Sequence, residues 1–298
     1  MDFEHRFSDE TSCRDYLISL RWPDGPVCPD CGQREGLMIR RGLWRCNACR
    51  HEASVTAGTI FQDSKLPLTI WFRAMWQVTS QKHGMSALGV QRVLGLGSYK
   101  TAWSLLHKLR RAMVRPDRER LHGVIEVDET YWGGEEEGVR GRQTEEKALI
   151  AVAAEATPES ANGSGRIRLA RIADTSRKAL HGFISQSVEP GSTVVTDGLQ
   201  SYRNMTGYVH QRHIRKHQAD DETLLPRVHR VVSLLKRWLL GTHQGAVEHE
   251  HLDDYLNEFA FRFNHRASKS RGKLFYRLAQ QAMSVPPAPY NTLIKHKG

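Results

Sequence analysis

Four of the chain's five cysteines stand in two C-x-x-C pairs, Cys28/Cys31 and Cys46/Cys49, with fourteen residues between the pairs. No other feature restricts the fold of the N-terminal region as tightly. Each pair suits a tight turn that points two thiolates at one ion, and Pro29 and Gly32 favour the first turn. Four thiolates complete a tetrahedral zinc site with no position open to water, so the site is structural. Between the pairs, 37–40 and 42–45 read as short strands joined by a turn, the outline of a zinc ribbon. Cys13 reads as a small buried apolar residue and not as a fifth ligand. Arg40, Arg41, Arg45 and Arg50 flank the ribbon, either as phosphate contacts or as a solvated basic face.

The 298 residues allow two or three domains, and a net charge of +10 favours a polyanionic partner, most commonly nucleic acid. No apolar run reaches transmembrane length. The start, Met1-Asp2-Phe3-Glu4-His5-Arg6, lacks the basic and then apolar pattern of a signal peptide. The expectation is a cytoplasmic, nucleoid-associated protein with no membrane partner.

From residue 66 to 120 the apolar spacing is helical. One helix covers 67–78 with Pro67 near its start, and another covers 86–94 behind the N-cap residue Ser86. Gly95-Leu96-Gly97 breaks the pattern, and a third helix runs from Ser98 to about Val114. Two helices joined by a short glycine-containing turn outline a helix-turn-helix. The last helix offers Tyr99, Lys100 and Thr101 to bases, and Lys108, Arg110 and Arg111 to phosphates. Pro116 ends it, which divides the chain into a zinc ribbon with an N-terminal helix (1–60), a helical DNA-binding domain (61–120) and a larger C-terminal domain (121–298).

That third domain opens on Gly-Val-Ile-Glu-Val-Asp-Glu-Thr-Tyr-Trp-Gly-Gly (123–134), where a β-prone run delivers Asp128 to a strand end. A second β-branched run, 192–196, ends in Asp197-Gly198. Further strands are expected near 147–154, 166–172 and 207–212, a helix at 176–187, and more helices after 228. Carboxylates at the ends of neighbouring strands can hold the paired divalent ions of phosphoryl transfer. Period-two alternation sends Glu129 to the face opposite Asp128 and gives it a structural role.

The stretches V-D-E-T-Y-W-G-G (127–134), V-T-D-G (195–198), L-K-R-W-L-L-G-T-H-Q-G (235–245) and Y-L-N-E-F-A-F-R-F-N-H-R (255–266) resemble bacterial insertion-sequence transposases of the ISXO2-like class. With the zinc ribbon they cover nearly the whole chain. The resemblance implies an α/β fold: an RNase H-like mixed sheet with flanking helices, preceded by a zinc ribbon and an all-α helix-turn-helix domain. It also implies a DDE-type enzyme that cuts and transfers DNA strands with two Mg²⁺ or Mn²⁺ ions. Asp128 matches the first catalytic carboxylate and Asp197 the second. The third position departs from the usual glutamate. Lys236, followed by Arg237, matches the basic residue expected to face the DNA backbone, and seven before it stands His229. Glu222, Glu248 and Glu258 are the other candidates. Imidazole suits softer metals better than Mg²⁺.

The function so implied is a transposase that binds the terminal repeats of its element as double-stranded DNA, cuts there and joins to target DNA. Bringing two ends together calls for a homo-oligomer. The missing glutamate leaves open a regulator derived from a transposase, which binds DNA without cutting, and a nuclease that cuts without joining is a further alternative. The C-terminal basic residues Arg262, His265, Arg266, Lys269, Arg271, Lys273 and Arg277 are expected on a DNA-facing surface. Phe259, Phe261, Phe263, Phe275 and Tyr276 interleave with them as core.

Overall fold

A computed structural model of the chain describes residues 3–39, 42–115, 117–134, 147–157, 160–214 and 224–294. It divides into two compact units, Met1–Arg115 with Ser268–Gly298, and Pro116–Ala267.

The first unit begins with α1 (Phe3–Arg6) and α2 (Glu10–Arg21), the latter opened by a reciprocal capping box between Asp9 and Ser12. Cys13 is fully buried on α2, and burial pushes its thiol up to about 12, so it serves as packing. The ribbon follows as three antiparallel strands, β1 (Gly36–Met38), β2 (Leu43–Cys46) and β3 (Glu52–Ser54), in the order β1-β2-β3. Two strands were legible as β-prone runs; the third, Glu-Ala-Ser, carries no such signal and forms by pairing with β2. Trp44 is buried with Cys28 and Cys46, and its indole lies against the backbone of Gly36. A methyl group at residue 36 would collide with that ring and approach the Arg45 carbonyl to 2.5 Å. Gly36→Ala should therefore destabilise the ribbon by about 1–3 kcal/mol, read as faster zinc release to a chromogenic chelator; unchanged release would refute this packing.

Three helices complete the N-terminal part of this unit: α3 (Leu68–Ser80), α4 (Ala87–Val93) and α5 (Tyr99–Ala112). Ser86 caps α4 by accepting from the Gly89 N–H, and Gly95 turns the chain with φ of 64°. Both were expected, and α4 packs on α5 across that turn as in a helix-turn-helix.

The second unit is a five-stranded mixed sheet in the order β6-β5-β4-β7-β8. Its strands are β4 (Val124–Trp132), β5 (Ala148–Thr157), β6 (Ser160–Ile172), β7 (Thr193–Thr196) and β8 (Val209–Arg212). The hairpins β4-β5-β6 are antiparallel, and β7 and β8 join parallel to β4. β5 is apolar and buried on both faces because the sheet is covered on both. One face packs under α7 (Pro226–His243) and α8 (Leu252–Asn264), with Ile150, Val152 and Leu169 against Leu235, Trp238 and Phe259. The other face packs Ile125, Val127 and Ala153 against Leu180, Phe183 and Ile184 of α6 (Arg177–Ser187). This is the mixed sheet with flanking helices that the resemblance implied. The edge strand β6 is closed from α8: the Asn264 amide accepts from the Ile167 N–H at 2.7 Å and donates to the Ile167 carbonyl at 3.2 Å, so a side chain takes the place of a further strand.

The division expected at 1–60, 61–120 and 121–298 differs from these two units. Ribbon and helices share one unit, and the C-terminal helices α9 (Arg271–Ala282) and α10 (Tyr290–Ile294) belong to it and not to the unit of the five-stranded sheet. The cause is aromatic packing. Phe275 of α9 sits among Phe3, Phe7, Phe72 and Trp76, with its ring centroid 5.3–6.3 Å from theirs. Phe259, Phe261 and Phe263 are core, as is Phe275, whereas Tyr276 is exposed.

Candidate catalytic and metal-binding sites

β4 and β7 are parallel neighbours with Glu126 opposite Val195. Two residues further on, Asp128 lies within β4, which continues to Trp132 and pairs with β5 there, so it is not the strand-end residue the sequence suggested; Asp197 directly follows the last residue of β7. Val195 packs into the core beneath α7 and α8, and the strand period of two puts residues 126, 128, 195 and 197 on that same face. The Oδ1 atom of Asp128 accepts from the Glu129 N–H at 2.9 Å. Asp197 Oδ1 accepts from the Leu199 N–H at 2.9 Å, which fixes the turn after β7. Both carboxylates are half-buried.

Glu129 faces the other way, as alternation requires, and accepts the hydroxyl proton of Tyr202 at 2.8 Å. Burial, followed by the charges of Glu129, Asp128 and Asp197, pushes the Tyr202 phenol well above its ordinary range. It remains a protonated donor to Glu129.

His229, on the first turn of α7, brings its Nε2 to 3.5 Å from Asp128 Oδ2, with its side chain about half exposed. Neighbouring donors on one octahedral ion at about 2.1 Å lie about 3.0 Å apart, so this pair fits a shared ion. Asp197 follows the adjacent strand, but the donor atoms of Asp128, Asp197 and His229 do not all lie within 4.8 Å of one another. Lys236 lies two turns along α7 and is partly buried, whereas Arg237 is exposed. Glu222 lies outside the described residues. Glu248 is exposed and follows Val247, whose carbonyl accepts from the Trp132 indole at 3.5 Å. Trp132 is four residues beyond Asp128, about 13 Å along the strand. Glu258 is fully buried on α8, the helix over β6, two strands away from β4. Of the three candidates among the described residues, His229 is the one placed against Asp128.

One residue at this edge escaped the sequence reading. Glu126 is buried two residues before Asp128 on the same strand face, and its carboxylate holds the first turn of α7. The available signal was an acid in the middle of an apolar strand run, Val-Ile-Glu-Val.

In the ribbon, the Sγ atoms of Cys28 and Cys49 are 3.4 Å apart and those of Cys31 and Cys46 are 3.6 Å apart. All four lie within 4.8 Å of one another. Tetrahedral Zn–S bonds of about 2.3 Å place sulfurs roughly 3.8 Å apart, so the four thiols already fit zinc. The N–H groups of the second turn, Cys49 foremost, lower the Cys46 thiol to about 7 and favour the thiolate. His51 and Asp30 pair at 2.7 Å and tie the two turns together.

The helix-turn-helix carries one correction. Arg110 was expected to reach phosphate, but it is buried on the packed side of α5, with its guanidinium 3.2 Å from His107 Nε2. Lys108 is half-buried over the Trp71 ring, and burial lowers its ammonium pKa. Lys100 is exposed near the start of α5, its Nζ 3.9 Å from the centre of the Tyr290 ring, and Arg111 is partly exposed near the other end. Arg40 and Arg41 lie outside the described residues, and Arg45 is paired with Glu52. On the C-terminal side, the guanidinium of Arg266 donates to the Ser164 and Phe263 carbonyls and so serves the fold of its own unit.

Residues 8–52 match the family described as a transposase zinc-ribbon domain, and residues 120–264 match the ISXO2-like transposase domain. An uncharacterized protein in transposable element ISH50 of Halobacterium salinarum is 28% identical, the alignment covering 86% of this chain and 91% of that protein. No helix among the described residues is long and apolar enough to cross a membrane.

Proposed function

Because the chain belongs to the insertion-sequence transposases that join a zinc ribbon to an ISXO2-like catalytic domain, we propose that it cuts DNA at the ends of its element and transfers the freed strands to target DNA. The observation that supports this reading is that Asp128 and Asp197 stand on neighbouring parallel strands, with His229 Nε2 3.5 Å from Asp128. Asp128, Asp197 and His229 would hold two Mg²⁺ or Mn²⁺ ions. When bound, such ions activate the attacking oxygen and neutralise charge on the scissile phosphate. The protein's own part is positional. β4 and β7 fix the two carboxylates, α7 brings the imidazole, and Lys236 and Arg237 further along α7 face the DNA backbone. Strand cutting leaves a 3′-hydroxyl, and attack by that hydroxyl exchanges one phosphodiester for another, so no nucleotide cofactor is consumed. The sequence holds no Walker-type phosphate loop, in keeping with this.

The four cysteines would bind one zinc ion and stabilise the ribbon, which with α4 and α5 recognises the terminal repeats. Joining two ends in one event needs at least two copies of the chain on the DNA. The test combines purified protein, labelled DNA carrying the element's ends, a target plasmid and Mg²⁺ or Mn²⁺. Joined product is expected. Cutting without joining would identify a nuclease, and binding without cutting under either ion a regulator.

The helix-turn-helix reading gives a separable prediction. Lys100→Ala should weaken end binding and flatten the dependence of log K on log salt by about one unit. Arg110→Ala should leave that slope unchanged and instead cost stability, about 2 kcal/mol, because its buried partner loses a hydrogen bond. The same slope change in both variants would mean that Arg110 leaves the helix interior to meet DNA.

A further inference from the structure

α7 reaches the sheet through an apolar stripe of Val228, Val231, Leu235 and Leu239, all fully buried. Apolar burial is non-directional, so such a stripe holds a helix down without fixing its rotation or slide. Yet His229 must keep its imidazole opposite Asp128, and half a turn of drift would remove it. The first turn of α7 has no cap of its own: the N-cap residue is Leu225, which makes no side-chain hydrogen bond. Four N–H groups of a helix start ordinarily lack partners. Here Pro226 has none to offer, and the first intrahelical bond is the one the His229 N–H donates to the Leu225 carbonyl at 3.0 Å. The N–H groups of the two positions between them go to Glu126: its Oε2 accepts from the N–H of Arg227 at 2.7 Å and from that of Val228 at 3.1 Å. Its Oε1 pairs with the Arg227 guanidinium, whose Nε donates to the Gly163 carbonyl at 3.0 Å. A buried carboxylate on a helix N-terminus is also favoured by the helix dipole.

We propose that Glu126 is a positioning residue for the catalytic site: from β4, the strand that carries Asp128, it clamps the first turn of α7 and thereby sets His229 against Asp128. One strand then carries both a metal-binding carboxylate and the device that registers the third group to it. This rests on the reading of Asp128, Asp197 and His229 as the metal-holding set.

The probe is Mn²⁺ binding to the full chain without DNA, followed by electron paramagnetic resonance of the free ion. Glu126→Gln keeps size and one acceptor, but turns an NH₂ group toward the donors of α7. It should raise the Mn²⁺ dissociation constant about tenfold, the usual scale for a group that orients a metal ligand. In a His229→Ala background the same change should matter less than twofold, because the effect passes through His229. Backbone amide exchange at Arg227 and Val228 should quicken while that of β5 stays slow. Additive losses in the two backgrounds would overturn the proposal and leave Glu126 a structural cap. Unchanged Mn²⁺ affinity in both Asp128→Ala and His229→Ala would instead sink the reading of the site, and the proposal with it. Should Glu126→Gln fail to fold, Glu126→Asp, which shortens the clamp by one methylene, is read by the same cycle.

Discussion

Asp128→Ala and Asp197→Ala are each expected to abolish DNA cutting and joining, by about a thousandfold or more, equal to about 4 kcal/mol of barrier. Each carboxylate is held by its strand and by a backbone N–H from the residue one or two places on, so neither can be replaced by a neighbour swinging in. Glu129, the nearest other acid in sequence, is turned to the opposite face and engaged with Tyr202. End-DNA binding should persist in both variants, since the residues proposed to recognise DNA ends lie in the other unit. The third position gives the sharper result. Imidazole ligands favour Mn²⁺ over Mg²⁺ more than carboxylates do. His229→Ala should lose most activity under either ion, and His229→Glu should regain it with a shift toward Mg²⁺. Strand-transfer rates measured across both metal concentrations decide this. Full activity in His229→Ala would remove the imidazole from the site, and an active Asp128→Ala would remove the two-metal reading altogether.

Much of this site was legible because its signals are local. A β-branched run leading into Asp needs only strand period to place Asp197 at the end of β7 and Asp128 on β4, although β4 runs on to Trp132 because it pairs with β5 beyond the expected end, and two C-x-x-C turns need only spacing to place four thiols. What stayed hidden depends on long-range packing. Nothing near Phe275 shows that it inserts among Phe3, Phe7 and Phe72, residues about 200 to 270 positions earlier, and so draws α9 away from the five-stranded sheet. Arg110 is a middle case. It lies four residues after Leu106 and three after His107, both buried, so the helical period already placed it near the packed face. Its charge outweighed its position in the sequence reading. Glu126 was hidden for the opposite reason: its place in the strand was plain, but its partners are the backbone of a helix a hundred residues away.

Loss of the ribbon's zinc is expected to have the second large effect, and to act on a different step. Structural zinc in small domains contributes about 10–16 kcal/mol of apparent binding energy. The ribbon has little else to replace it. Its three strands are three or four residues long, and its buried cluster is Cys28, Trp44 and Cys46, with Trp22 and Ala53 packed against it. Two of those three core residues are proposed zinc ligands, so removing the ion would both free four thiols and open the core. Cys28→Ser and Cys46→Ser should therefore lose stoichiometric zinc and shift tryptophan emission to longer wavelength as Trp44 becomes wet. Affinity for element-end DNA should fall at least about tenfold, or about 1.4 kcal/mol. Amide exchange of β4 and β5 should not change, because the five-stranded sheet has its own core on both faces. Mn²⁺ affinity at Asp128 should be retained for the same reason. Zinc-free protein that binds ends as tightly as the loaded form would make the ribbon a spacer and leave recognition to α4 and α5 alone. Loss of Mn²⁺ affinity together with zinc would show instead that the two units are thermodynamically coupled.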